Sequence, residues 1–413
     1  MAHGNWDVVI VGGGLGGAAL GRSLAMQGIR TLIVEREAAF KDRVRGEGMH
    51  PWGVAEARTL GIEGLLRDSG AHEVRWWKRY FGPVPRDCRD LVETTPAHCG
   101  CFNFHHPAMQ RTLLDAAEAA GAIVRRDTAV VGVEPGDAPV VRLRTVQGEE
   151  RVSARLVVGA DGRRSMVRGA AGFIVNQDPP RLIVAGVLHE GLGAPEDAVH
   201  YFQNPSCGQG ALIFPLGQQR FRSYFVSGVA QRHRVSGSRH IAEFVDACVA
   251  TGVPCDWYAG ASVAGPLAAY PGADCWVDHP YRDGVALIGD AAAASDPSWG
   301  CGLSLTLRDV RVLRDCLLGT DDWQAAAHGY AQQHDRYYGA LHRVEDWLTQ
   351  LLYETGHMAD MRRAHVLPHF ASEPDRAPDL SGLGPDTPSD EAARRRFFAE
   401  DVDLATAENR GST

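Results

Sequence analysis

Trp6-Asp7-Val8-Val9-Ile10-Val11-Gly12-Gly13-Gly14-Leu15-Gly16-Gly17 decides the fold. The apolar run at 6–11 suits a strand buried on both faces of a parallel sheet. A G-x-G-x-x-G follows at once, and LGGAALGRSLAMQG then shows helical spacing with a glycine stop at Gly28. TLIVE at 31–35 reads as a second buried strand, so the segment is one βαβ unit. Gly12 permits the tight turn, Gly14 lets backbone approach a pyrophosphate at the positive end of the helix, and Gly17 lets helix and strand pack closely. Glu35 ends the second strand, placed to accept hydrogen bonds from the hydroxyls of an adenosine ribose. Together these imply dinucleotide binding.

Working outward, a helix is expected from Pro107 to Gly121, with proline at its first turn. Residues 139–158 read as a β-meander. The 181–230 region carries short strand-like runs (RLIVAGVLHE, AVHYF, GALIFPL, RFRSYFVSG) broken by glycine and proline, which predicts a separate sheet. A helix (HIAEFVDACVA) and further strands lead to about Trp276. VALIGD at 285–290 returns to the buried-strand pattern, and 303–318 is helical. From 336 the chain reads as helical to about 363, then as a tail of mixed charge expected to be solvated surface.

Three further segments carry a resemblance. They are Val158-Gly159-Ala160-Asp161-Gly162 followed by Arg163, Ser165 and Arg168; Leu287-Ile288-Gly289-Asp290-Ala291-Ala292; and Pro297-Ser298-Trp299-Gly300-Cys301-Gly302-Leu303. With the glycine turn, and in this order, they resemble the single-component (group A) FAD-dependent monooxygenases, the family of para-hydroxybenzoate hydroxylase. The resemblance covers about residues 5–320. It implies that Asp161 and Gly162 lie in a motif serving FAD and the nicotinamide cofactor. It also implies that Gly289 and Asp290 bind the flavin ribityl chain, and that Pro297, Gly300, Gly302 and Leu303 form the loop beside the isoalloxazine. Arg36 follows Glu35 at the nucleotide end. Arg45, with Arg43 a near rival, matches an FAD-contacting arginine. At a helix start where the family usually has another, this chain has His106, so His106 or Arg111 is expected to replace it. Alanine at 293, where the family often has histidine, leaves no base assigned there. Trp299 and His50 are flavin-proximal candidates, Trp299 as a pocket wall and His50 as a packing or proton-shuttling histidine. Tyr201, Phe214 and Tyr224 are expected to pack within their sheet.

The expected architecture is therefore α/β. A Rossmann-type FAD-binding domain (1–75, 100–180, 275–335) is interleaved with a β-sheet substrate domain (76–99, 181–274), and a C-terminal helical tail spans 336–413. The resemblance implies that NADH or NADPH reduces FAD, that reduced FAD reacts with O2, and that a flavin C4a-hydroperoxide passes one oxygen atom to an organic, aromatic or polycyclic substrate. The protein's task is to hold the substrate and exclude water. A flavin-dependent reductase of the geranylgeranyl reductase type would need no O2. A flavin-dependent halogenase should carry W-x-W-x-I-P and a catalytic lysine, and Trp76-Trp77-Lys78 has the wrong spacing. An FAD-binding sensor would bind flavin without turnover. A plain NAD-dependent dehydrogenase leaves the last two motifs unexplained.

Composition narrows the partners. The formal net charge of -9 argues against nucleic acid, and with Lys41 and Lys78 the only lysines, anion binding must lean on arginine. The nine cysteines lack paired C-x-x-C motifs, so reduced thiols and no metal site are expected. Without a signal-peptide pattern or an 18-residue apolar run, the chain reads as cytoplasmic with no membrane span.

Overall fold

The structure is a computed structural model that describes residues 6–44, 46–145, 148–231 and 235–402. In chain order, β1 (Trp6–Val11), α1 (Leu15–Ala25) and β2 (Thr31–Val34) come first. They are followed by β3 (Trp76–Phe81), β4 (Val84–Asp90), α2 (His106–Ala119), β5 (Ile123–Arg125) and β6 (Gly148–Gly159). Next come β7 (Leu182–Glu190), β8 (Ala198–Asn204), β9 (Gln209–Pro215), β10 (Arg220–Gly228) and β11 (Val285–Leu287). Three long helices follow: α3 (Gly302–Leu318), α4 (Trp323–Leu352) and α5 (His357–Ser372).

The central sheet runs β11-β6-β1-β2-β5, all parallel. Val8, Val9 and Ile10 are fully buried because helices cover one face and a small antiparallel sheet the other. The small residues of α1 allow close approach, and a Cβ on Gly17 would stand 1.9 Å from the Gly12 carbonyl oxygen. The segment read as a meander is a hairpin, Val140–Thr145 with β6, joined by a third strand at Ala129–Glu134.

The second sheet runs β7-β10-β9-β8-β3-β4, and β3 enters it parallel to β8. Its strands β7, β8, β9 and β10 are buried on both faces, while β4 at the edge is largely exposed. Val184, Tyr201, Leu212, Phe214 and Tyr224 face the main core, while Ala185, Val187, Phe202, Ile213 and Phe225 pack on Phe244 and Cys248 of the 241–251 helix.

Two expectations change at the C-terminus. α4 is a 30-residue helix that runs unbroken through position 336, where a boundary was expected, because its buried stripe from Trp323 to Leu351 packs continuously on α3 and the core. The tail beyond 372 is more than a solvated surface. Residues 374–381 pack back against the second sheet, where Arg89 of β4 holds Asp379 through two hydrogen bonds of 2.5 and 2.8 Å. All nine cysteines are free thiols. No helix of the described residues is long and apolar enough to cross a membrane.

Candidate active site

A cleft of about 310 Å³ opens at the N-terminus of α1. Its walls include Gly12, Gly14, Glu35, Arg36, His106, Gln110, Asp161 and Gly162. Gly12 has φ +106°, and a Cβ there would meet the Ala160 carbonyl oxygen at 2.3 Å. Gly14 faces open space, with only Gln110 Nε2 at 3.5 Å from an ideal Cβ. α1 has no side-chain cap, so its first N–H groups are left for an anion. Glu35 is buried and accepts hydrogen bonds from Gly13 N (2.7 Å) and Glu37 N (2.8 Å). Each carboxylate oxygen retains a second lone pair, enough for the ribose hydroxyls. A narrow, glycine-floored cleft with a buried acid at one end and an uncapped helix at the other fits a dinucleotide.

The second and third motifs are joined by arginine. Arg168 donates to Ala291 O (3.2 Å) and Arg163 O (2.8 Å), and Arg163 donates to Ser295 O (3.2 Å) and Ala273 O (3.4 Å). The two guanidinium groups thus fix the Gly289–Ala291 turn and the 296–302 loop relative to β6. Asp161 serves mainly the fold. Its carboxylate takes Ser165 Oγ (2.5 Å), Met166 N (2.7 Å) and Val167 N (3.1 Å), capping the helix Met166–Ala170. Asp290 is half-buried in its turn, 4.0 Å from where a Cβ on Gly302 would stand, and α3 begins there without a side-chain cap. Leu303 packs on the main core.

Arg111 does not reach the cleft. It is exposed, while His106 and Gln110, one helical turn apart, face the nucleotide side. The next residue on a helix points about 100° away, which is the physical reason. His106 Nε2 donates to Gly46 O at 2.7 Å and so ties α2 to the glycine loop. Arg43 lines the cleft and pairs with Glu37 at 2.7 Å. Arg45 lies outside the described residues.

A cavity of about 450 Å³ lies on the other side of the 296–302 loop. Pro297, Ser298, Trp299, Gly300 and His50 form one wall; Tyr201, Leu212, Phe214, Tyr224 and Val226 of the second sheet form another. Tyr201, Phe214 and Tyr224, expected to pack within their sheet, also face the cavity, because they occupy the strand face turned toward the loop. Trp299 is held by Nε1–H donation to Thr349 Oγ1 at 3.1 Å. His50 Nε2–H donates to the Trp299 carbonyl at 3.0 Å, and burial pushes the imidazole pKa down, so His50 is a neutral ring with a bare Nδ1.

Sequence reasoning missed three features. One is a buried cluster in which Arg222 donates to Glu47 Oε1 (2.9 Å) and Asp42 Oδ1 (3.0 Å), and Tyr224 donates to Glu47 Oε2. Burial pushes the Glu47 carboxyl up to about 7, against the pull of Arg222 and the Tyr224 hydroxyl. The Arg-Gly-Glu run held the only signal for it. The second is the polar set of Arg79, Arg89 and Gln203 on the sheet. The third is the strap at 374–381. Arg89→Gln is expected to cost roughly 1 kcal/mol of strap closure, given a half-exposed bidentate pair. Limited proteolysis should then cut within 374–381 about five times faster than in wild type.

Comparison with known proteins decides the family. The model of the FAD binding domain family matches residues 5–326. The chain belongs to this family, that of the group A flavin monooxygenases. Among curated proteins, this flavin monooxygenase family member is 28% identical over 365 residues to rifampicin monooxygenase of Streptomyces venezuelae, covering 82% of the chain and 68% of that protein. It is 26% identical over 333 residues to mitochondrial squalene epoxidase 2 of Arabidopsis thaliana, covering 75% and 54%. The chain spans 54, 58 and 60% of the length of the first three curated relatives. Among solved structures, the anhydrotetracycline hydroxylase OxyS of Streptomyces rimosus superposes with a TM-score of 0.71 at 20% identity, covering 96% of this chain and 76% of that one, a likeness of fold. The family match spans the glycine cleft, the Gly289–Ala291 turn and the 296–302 loop, and stops before the strap.

Proposed function

We propose that the protein is an FAD-dependent monooxygenase that takes reducing equivalents from NADH or NADPH and places one atom of O2 on an aromatic or polycyclic substrate. Bound FAD would supply the electron transfer and the activation of oxygen. Glu35 and the N-terminus of α1 would hold its nucleotide end, and Asp290 with Gly300 and Gly302 its flavin end. The observation that carries the reading is the cavity bordered by the 297–300 loop, faced by an aromatic sheet and covered by the strap. Its 450 Å³ lies in the range that accepts drug-sized ligands. The enclosing walls of Trp77, Phe214, Tyr270 and Trp299 would orient a flat substrate and keep water from the reacting atoms. Relatives whose names include rifampicin monooxygenase and squalene epoxidase support oxygen transfer to large organic molecules. Neither lysine lines the cavity: Lys41 stands at the nucleotide cleft and Lys78 pairs with Asp197 at 3.6 Å. A lysine-dependent halogenation is therefore disfavoured.

The test is an absorbance spectrum of the purified protein, then NADPH or NADH with an oxygen electrode and a panel of polycyclic aromatics. Flavin bands with substrate-stimulated O2 uptake and an oxygenated product are expected. Flavin reduced by NAD(P)H, with a substrate double bond saturated and no O2 consumed, would instead identify a reductase.

A further inference from the structure

Behind the 296–302 loop lies a group of acids that the nucleotide and substrate sites do not use. Glu345 of α4 is 1% exposed and has no cationic partner among the described residues; only the Cys301 thiol and the Asp296 backbone N–H reach toward its carboxylate, outside good hydrogen-bond geometry. A buried carboxylate left this way costs several kcal/mol unless it holds a proton or an ion. The charges that act on it most are Asp274 and Asp296, 3% and 4% exposed, and both repel a second negative charge. Cys301 borders it from the loop.

The acids form a series. At the surface, His342 Nε2 lies 2.7 Å from Asp178 Oδ2, with 27% and 31% of their side chains exposed. Polar atoms of Asp178, His342 and Asp274 all fall within 4.8 Å of one another. Tyr338 donates to Asp274 at 3.1 Å. Glu345 and Asp296 lie beside Asp274, each within reach of the others' charge, and the Asp296 carboxylate accepts Ser298 N at 2.9 Å. Arg163 and Arg181 are the cations that face Asp296, and Tyr201, Tyr270 and Tyr353 also feel its charge. Ser298 lines the substrate cavity, and its hydroxyl, like its backbone N–H, acts on the Asp296 carboxylate.

We propose that Glu345 is a protonated carboxylic acid in a proton path running from Asp178–His342 through Asp274, Glu345 and Asp296 to the Ser298 hydroxyl at the cavity. Burial pushes the Asp274 carboxyl up to about 6, raises Asp296 and raises Glu345 further, as a chain of proton carriers requires. The path rests on the proposed activity for its purpose. The balance NAD(P)H + H⁺ + O2 + S → NAD(P)⁺ + SO + H2O consumes a proton, which on that reading would be needed inside a cavity whose aromatic walls limit water. Each proton that Ser298 passes to the cavity is replaced by one entering at His342, so the acids end as they began.

The test uses FAD-loaded protein and needs neither NAD(P)H nor substrate. Infrared difference spectra record the carbonyl band of protonated carboxyl groups, and an indicator dye follows proton uptake as bound flavin is photoreduced. Glu345→Gln is expected to lose a protonated-carboxyl band and slow uptake at least about tenfold, with FAD content unchanged. His342→Asn, at the half-exposed entry, tests the path without disturbing the core. It should slow uptake similarly and keep the band. Wild-type uptake in His342→Asn, or an unchanged band in Glu345→Gln, overturns the proposal. So does a stoichiometric metal ion retained on dialysis by wild type and lost in Glu345→Gln. If the monooxygenase reading were wrong, wild type would fail in the oxygen electrode while the photoreduction results stood apart from it.

Discussion

Gly14→Val is expected to yield a folded protein that binds FAD at least about 100-fold more weakly than wild type, a loss of about 2.7 kcal/mol or more. The backbone at Gly14 is extended (φ −70°, ψ −168°), which valine adopts without strain. An ideal Cβ meets nothing nearer than Gln110 Nε2 at 3.5 Å. The added methyl groups therefore project into the cleft, where a pyrophosphate would meet the N-terminus of α1. Exchange of a glycine N-cap for valine costs roughly 1 kcal/mol, so the apo-protein should melt within a few degrees of wild-type apo-protein. Gly17→Ala is the contrasting control. Its Cβ would stand 1.9 Å from Gly12 O, and the fold itself should fail. Flavin absorbance per chain and thermal denaturation separate the two cases. A Gly14→Val protein that purifies fully loaded would remove the cleft from FAD binding.

Arg222→Met is expected to destabilise the native state by about 3–5 kcal/mol, because it leaves two carboxylates near each other without their shared cation. Arg222 and Glu47 are each 1% exposed, and Asp42 completes the group. Adding Glu47→Gln should recover part of the loss, as a double-mutant cycle in urea would show. Glu47 also carries a pH signature. Its carboxyl rises from 4.5 to about 7 on folding, so its contribution is complete below about pH 4.5 and is lost as pH rises through 7. His189 and His200, pushed down to about 4 by burial, run the other way. The measurement is therefore wild type minus Glu47→Gln, which should isolate a falling slope between pH 4.5 and 7. Arg222→Met unfolding at the wild-type urea midpoint would show that the cluster contributes nothing.

What the sequence made legible was local. The glycine turn, the strand ending at Glu35, the Gly289–Asp290 turn and the 297–302 loop each declare themselves within a few residues, because backbone conformation and helix-terminus chemistry are short-range. The substrate side was not local. Arg89 meets Asp379 across 290 positions, and Arg222 meets Glu47 across 175, with no periodicity to announce either pair. Helical phase decided Gln110 over Arg111, a matter of one residue. Asp161 shows a different limit: its motif borders the cleft, yet its carboxylate is occupied in capping a helix. Tyr201, Phe214 and Tyr224 alternate as any buried strand does, and strand alternation alone does not tell a cavity wall from a packed core.

The strap lies outside the span matched by the family, 5–326, yet it supplies one wall of the cavity. The family-matched span thus carries the glycine cleft and the aromatic sheet wall of the cavity, and the strap adds a further wall from outside that span. An exchangeable cassette results: residues 374–381 can be randomised or grafted while every FAD-facing residue is kept. Libraries confined to that wall, with Arg89 and Asp379 retained as the clasp, offer a way to vary which molecules the cavity accepts while the family-matched span stays unchanged.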